Sequence, residues 1–127
     1  MNRVVFSSQS VHWPTPLALY EQLDAEFAFD LDPCPLNSKV DGLVLDWSGH
    51  RVFCNPPYGR SITQWLDKAC ETDIAVYLLP AKTDTRWFHD YCLAAQEIRF
   101  IKGRLKFGSA VHNAPFPSMV VIFKPCG

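Results

Sequence analysis

No run in this 127-residue chain is apolar for long enough to cross a membrane, and its start lacks a secretory signal pattern. Five cysteines are scattered without a C-x-x-C pair. That excludes the usual zinc spacings and predicts free, mostly buried thiols in a reducing compartment, with no bound metal. No G-x-G-x-x-G occurs, so the dinucleotide fingerprint is absent. Net charge is −1, which gives no global pull towards nucleic acid and leaves only local patches to provide one. There is no internal repeat and no low-complexity segment. At 48% apolar and 20% charged residues, the composition is that of an ordinary globular protein, and the length predicts a single domain over 1–127.

What the chain does contain is Asn55-Pro56-Pro57-Tyr58, between the apolar run Arg51-Val52-Phe53-Cys54 and a helical pattern beginning after Gly59. A buried strand ends here and turns into a helix, and in open α/β sheets ligands bind at the carboxyl ends of strands. Two successive prolines fix φ and remove two backbone donors. Asn55, standing before a proline, is driven extended. The stiff loop therefore offers acceptors, the Asn55 side-chain oxygen and the Pro56 carbonyl, and Tyr58 adds a ring for stacking. This set suits methylation of an amino nitrogen whose lone pair is delocalised into a ring or carbonyl. Two acceptors on its N–H groups favour a pyramidal nitrogen, which is positioning and electrostatic help without a strong base. A base inside duplex DNA reaches such a pocket only by flipping out. The competing interpretation is a plain turn, since Asn and Pro are common turn residues.

In chain order, Trp13-Pro14-Thr15-Pro16 opens a helix, with Thr15 suited to the N-cap and Pro16 to the first helical position. The free N–H groups and the Thr15 hydroxyl at that start could also hold a carboxylate. Leu19, Tyr20, Leu23 and Phe27 supply its apolar stripe. Residues 27–32 alternate and predict a strand that stops at Asp32-Pro33-Cys34-Pro35. Asp32 at that end could meet a cationic or hydroxylated ligand, or simply bond its own backbone. Asp41-Gly42 marks a turn, and residues 43–47 form a short strand or an irregular segment.

Ser61-Ile62-Thr63-Gln64 has the form of a capping box, and Ile62, Trp65, Leu66 and Ala69 follow at helical spacing. Residues 74–79 are continuously apolar, as in a strand buried on both faces. Thr83, Asp84 and Thr85 open a third helix carrying Trp87, Phe88, Tyr91 and Ala95. Residues 97–101 alternate as a strand. Lys102, Arg104 and Lys106 then fall on one face of an extended segment near Arg99, which makes either a phosphate track or a lysine-protected edge. Residues 118–123 close the chain as a strand. Strands alternating with helices predict a mixed, mostly parallel sheet ending in an antiparallel hairpin.

Taken in order, Trp13-Pro14-Thr15-Pro16, Leu31-Asp32-Pro33-Cys34, Asp41-Gly42-Leu43 with Asp46-Trp47, Asn55-Pro56-Pro57-Tyr58, Leu79-Pro80-Ala81 with Trp87-Phe88, Gly103-Arg104-Leu105-Lys106-Phe107 and Ala114-Pro115-Phe116 resemble the phage-type Dam family of DNA N-6-adenine methyltransferases. The resemblance spans residues 10–123. Asn-Pro-Pro-Tyr alone is shared with other amino-group methyltransferases; the ordered set is far more specific. The resemblance implies a reduced, single-domain, Rossmann-like class I methyltransferase fold that uses S-adenosylmethionine and acts on DNA in a bacterial cytoplasm, encoded by a phage or prophage. It makes Asn55, Pro56, Pro57 and Tyr58 the catalytic loop. It implies cofactor contacts at Trp13, Thr15, Asp32, Pro33 and Cys34, with Asp41 or Asp46 meeting the ribose or adenine ring. Lys102, Arg104 and Lys106 would face DNA, and Phe107 or Phe116 would form a second stacking wall. Two departures stand out: Pro33-Cys34-Pro35 replaces the glycine-rich turn usual after the first strand, and the link from Asp32 to Asn55 is too short for two strand–helix units. No separate target-recognition domain is present, so sequence specificity is low or lies in residues 108–117. Rival functions for the same residues are methylation of RNA or of protein glutamine, or nucleic-acid binding without catalysis.

Overall fold

The computed structural model describes residues 10–11, 13–35, 38–106 and 114–125. Its centre is a four-stranded sheet in the order β2 (Arg51–Cys54), β4 (Ile74–Pro80), β6 (Ser118–Phe123) and β5 (Glu97–Phe100). β2 and β4 are parallel, with Cys54 opposite Tyr77. β6 runs antiparallel between β4 and β5. The sheet is mixed as expected, but because β6 separates β4 from β5, only one of its strand pairings is parallel. A separate two-stranded ribbon pairs β1 (Ser10–Val11) with β3 (Tyr58–Gly59).

Alternation along the strands feeds two cores. Phe53, Val76, Leu78, Val120 and Ile122 pack with Leu23 and Phe27 of helix α1 (Leu17–Phe27). Val52, Cys54, Tyr77, Leu79 and Val121 pack on the other side with helix α2 (Ile62–Asp67) and helix α3 (Arg86–Asp90). The helical spacing of Ile62, Trp65, Leu66 and Ala69 is borne out, since all four are buried. So is the apolar run at 74–79, every residue of which is buried. Thr85 caps α3 by accepting from the Phe88 N–H at 3.2 Å.

Several expectations fail for local reasons. Residues 27–32 do not form a strand: α1 runs through Phe27 and ends at Ala28 in the left-handed conformation (φ 53°). Only Leu31 keeps a parallel bridge, to Val52. The Ser61 side chain makes no capping bond; the Gln64 N–H bonds the Ser61 backbone carbonyl instead. Thr15 is not the N-cap of α1 either. That position is Pro16, which has no hydroxyl to offer. Residues 102–106 form no strand, and Gly103 turns the chain at φ 78°. The expectation of free cysteines holds at Cys34, Cys54 and Cys92 and fails at Cys70, which is disulfide-bonded. Among the described residues no helix is long and apolar enough to cross a membrane.

The link between Leu31 and β2 carries a 3-10 turn at Gly42–Val44 in place of a strand. Gly42 is buried so close to the Pro33 bend that an added Cβ would lie 1.8 Å from the Pro33 carbonyl oxygen and 3.0 Å from Trp65 Cη2. Glycine is needed here for close approach. Gly42→Ala is therefore expected to destabilise the fold by about 3 kcal/mol, the upper end of overpacking costs, because backbone must move. Gly49→Ala meets no atom within 4 Å and strains only its φ of +72°, at a cost of about 1–2 kcal/mol. Urea midpoints of the two variants test the ranking; a Gly42→Ala protein as stable as Gly49→Ala would show that the Pro33 contact is slack.

Candidate active site at the carboxyl ends of the strands

β2 and β4 end beside one another, and β5, running the same way, brings residues 101–106 to the same end of the sheet. Asn55 leaves β2 here. It is only 2% exposed. Its side-chain Nδ2 donates to the Trp13 carbonyl at 2.5 Å and to Thr15 Oγ1 at 3.0 Å. A backbone carbonyl only accepts, so the nitrogen of the amide must face Trp13. Oδ1 is thereby turned the other way, buried and without a partner among the described residues. The adjacent Pro56 carbonyl also receives no hydrogen bond from a described residue. A buried acceptor left unpaired costs about 1–3 kcal/mol, so the fold is less stable for it unless a ligand donates.

Tyr58 pairs through β3 with Val11. Its hydroxyl donates to the Leu78 carbonyl at 3.0 Å, tying the loop to β4. Burial, then the nearby Cys54, pushes the phenol well above its usual pKa, so Tyr58 stays neutral and is unsuited to proton abstraction. Phe116 stands edge-on to Tyr58 (ring centroids 5.6 Å) and to Trp13 (5.5 Å). The structure thus brings Asn55, Tyr58, Trp13, Thr15 and Phe116 together. With Tyr58 only 9% exposed, little of its ring face is open in this conformation.

Beside this group lies a cleft of about 290 Å³ lined by Thr15, Leu17, Tyr20, Asp32, Cys34 and Pro35. A second, of about 250 Å³, is lined by Pro33, Cys34, Pro35, Val40, Asp41 and Trp65 among others. Cys34 and Pro35 line both. Asp32 accepts from the Cys34 N–H at 3.0 Å and Asp41 from the Leu43 N–H at 3.0 Å, each closing a local turn while reaching a cleft. Asp46 does the same for Ser48 at 2.9 Å but lines neither cleft. That backbone hydrogen bond, with the Ser48 hydroxyl, holds its carboxyl below the usual range. Trp13 lines neither cleft; its contribution is the carbonyl that holds Asn55. A larger cleft of about 570 Å³, walled by Asp67, Tyr91, Gln96, Phe123 and others, lies at the opposite end of the sheet and holds none of these residues.

Lys102, Arg104 and Lys106 are exposed at this same end of the sheet. They are not aligned on one extended face, because Gly103 bends the chain between the first two. Arg99 does not join them. Its guanidinium is engaged by Glu26 at 2.6 and 2.7 Å and by Glu97 at 2.7 Å. Phe107 and most of the 108–117 loop lie outside the described residues. Two cleft residues carried no signal of it in the sequence: Tyr20 read as part of the helix stripe, and Leu17 had no distinguishing pattern. Sequence reasoning also missed Ser118, whose Oγ is buried without a partner among the described residues at the start of β6. A serine at the head of an apolar strand carries no distinguishing pattern.

Comparison with known families places the chain among the methyltransferases. The match, over residues 5–126, is to DNA N-6-adenine-methyltransferase (Dam), and the chain belongs to that family. Membership implies DNA adenine N6-methyltransferase activity. No curated protein and no solved structure matches the chain.

Cys34 offers a probe of the clefts. Burial first, then Asp32 and Asp41, pushes its thiol up to about 12. Only about one molecule in ten thousand then carries the reactive thiolate at pH 8, against roughly a quarter of ordinary thiols. Iodoacetamide should label Cys34 in the folded protein at least ~100-fold more slowly than in urea at pH 8, as read by peptide mass. Equal rates would show that the thiol is neither buried nor beside the carboxylates.

Proposed function

We propose that this protein transfers a methyl group from S-adenosylmethionine to the N6 amino group of an adenine flipped out of DNA, using one Rossmann-like domain. The observation that carries this reading is the orientation of Asn55, with its amide nitrogen held by the fold and its oxygen left as a buried acceptor without a partner among the described residues. A buried acceptor of this kind favours a ligand that brings an N–H to it, which argues against a site that has lost its ligand. Family membership favours DNA adenine over RNA or glutamine as acceptor.

The residues present fit the cofactor. Small-ligand sites span about 300–1000 Å³; each cleft is a little smaller, at about 290 and 250 Å³, and the two adjoin at Cys34 and Pro35. Thr15 and Asp32 line the first cleft and suit the charged amino-acid end or a hydroxyl group; Pro33, Cys34 and Asp41 line the second and suit a ring or ribose. When bound, S-adenosylmethionine supplies an electrophilic methyl on a sulfonium. Asp46, outside both clefts, is left with a purely structural part, and Trp13 acts through its carbonyl.

Asn55 Oδ1 and the Pro56 carbonyl each accept one N–H of the target amino group. The nitrogen lone pair is then withdrawn from conjugation and aimed along the third direction, towards the methyl donor. Pro57 keeps this loop rigid. Tyr58 contributes its ring, with its hydroxyl occupied at Leu78. Phe116 stands edge-on against Tyr58, so it moves off that face as the base enters and forms the other wall. Lys102, Arg104 and Lys106 take phosphates, which supplies locally what a net charge of −1 does not supply globally.

Two outcomes test this. Asn55→Ala should lower single-turnover methylation of DNA adenine ~100- to 1000-fold while cofactor affinity, measured by calorimetry, stays within a few-fold of wild type. Methylation at the wild-type rate would end the catalytic assignment. Arg104→Ala should weaken DNA binding and reduce the slope of log affinity against log salt by about one. An unchanged slope would make the basic residues a solubility device.

A further inference from the structure

We propose that Thr15 is a positioning residue that acts on the reaction through Asn55, and that it links the ligand cleft to the target amino group. This rests on the function proposed above. The Thr15 oxygen accepts from Asn55 Nδ2 at 3.0 Å. Its side chain also lines the 290 Å³ cleft. It stands just before helix α1 yet does not cap it. A threonine hydroxyl has one proton to donate as well as lone pairs to accept with. The lone pair is used on Asn55, and the proton is bonded to no described residue, so it remains for a ligand in the cleft.

The consequence is directional. An amide can rotate to present either end, and presenting nitrogen to the active site would place a donor where an acceptor is needed. The Trp13 carbonyl and the Thr15 oxygen together hold both N–H groups on the fold's side and leave Oδ1 for the substrate. A negatively charged group accepting the Thr15 proton fixes the hydroxyl with its lone pair towards Asn55. Filling the cleft therefore tightens the acceptor that the target base will meet, and the base is bound better second than first.

The experiment compares wild type, Thr15→Val, Thr15→Ala and Thr15→Ser. The first two remove the acceptor and the third keeps it; the alanine variant serves if the valine variant does not fold. Single-turnover methylation is measured at saturating S-adenosylmethionine, so that weaker cofactor binding is overcome. In parallel, the Asn55 side-chain amide signals are followed by ¹⁵N NMR without cofactor, assigned by their loss in Asn55→Ala. Thr15→Val should methylate about tenfold more slowly at saturation, as expected for one lost hydrogen bond to a positioned group. Its Asn55 amide protons should shift and exchange faster with solvent. Thr15→Ser should recover most of both. A wild-type rate at saturation in Thr15→Val would overturn the proposal and leave Thr15 as a cofactor contact alone; unmoved Asn55 signals would overturn it as well. If the wild type itself methylates no DNA, the proposed function fails, and the NMR comparison still decides whether Thr15 holds the amide.

Discussion

Burial of β4 on both faces is the constraint on which the rest of the structure depends. All seven of its residues are buried. A strand so placed must pair on both edges, because any backbone group left over would sit in apolar surroundings. β2 and β6 supply those edges. The side chains alternate between the α1 core and the α2–α3 core, so both layers are held by one segment. β4 also outlasts β2: Cys54 is level with Tyr77, and β4 continues to Pro80. That overhang gives the Asn55 loop a wall, and the Leu78 carbonyl on it takes the Tyr58 hydroxyl. The geometry of the site is thus inherited from the strand with the least freedom to move.

The segment before β2 solves a different problem, how to hold an irregular link without a ladder. Asp32, Asp41 and Asp46 each accept the backbone N–H two residues on, at 3.0, 3.0 and 2.9 Å. Such local bonds replace secondary structure as the destination of backbone donors. Trp47, fully buried, donates its indole N–H to the Gly42 carbonyl at 2.9 Å, and Lys68 reaches the Leu45 carbonyl at 2.8 Å. Gly42 then seats against Pro33. Where a glycine-rich turn would let a ligand approach the backbone, this chain uses its glycine to let one part of the backbone approach another.

Elements whose signal is carried by their own residues were legible in the sequence: β4 from its unbroken apolar run, α2 from its stripe, the Thr85 cap, and the Asn55 loop from its prolines. What was not legible depended on partners far along the chain. Thr15 looks like a cap because capping is local, yet its hydroxyl is taken by Asn55, forty positions on. Residues 27–32 alternate like a strand, but Phe27 completes α1 and Phe29 packs on Phe53 at 5.4 Å, so the alternation serves two elements. Arg99 looked like part of a phosphate patch until Glu26, on a helix much earlier in the chain, claimed it. Asp32 and Asp41 line clefts and Asp46 lines neither, a difference invisible in the sequence because all three share one turn chemistry.

The choice of asparagine at position 55 follows from the same surroundings. An aspartate there would set a carboxylate oxygen against the Trp13 carbonyl, two acceptors with no proton between them, and that repulsion would turn the group away or force it to bind a proton. The amide avoids this because its two ends differ. One end satisfies the fold, and the other is presented as an acceptor without any net charge. In surroundings this dry, that acceptor attracts an N–H more strongly than it would in water. Under the proposed function, the cost of an Oδ1 without a partner among the described residues, about 1–3 kcal/mol, becomes a preference for a bound amino group. A ligand that lacks an N–H at that point would leave the cost in place, so the proposed arrangement would select for an amino group as well as hold one.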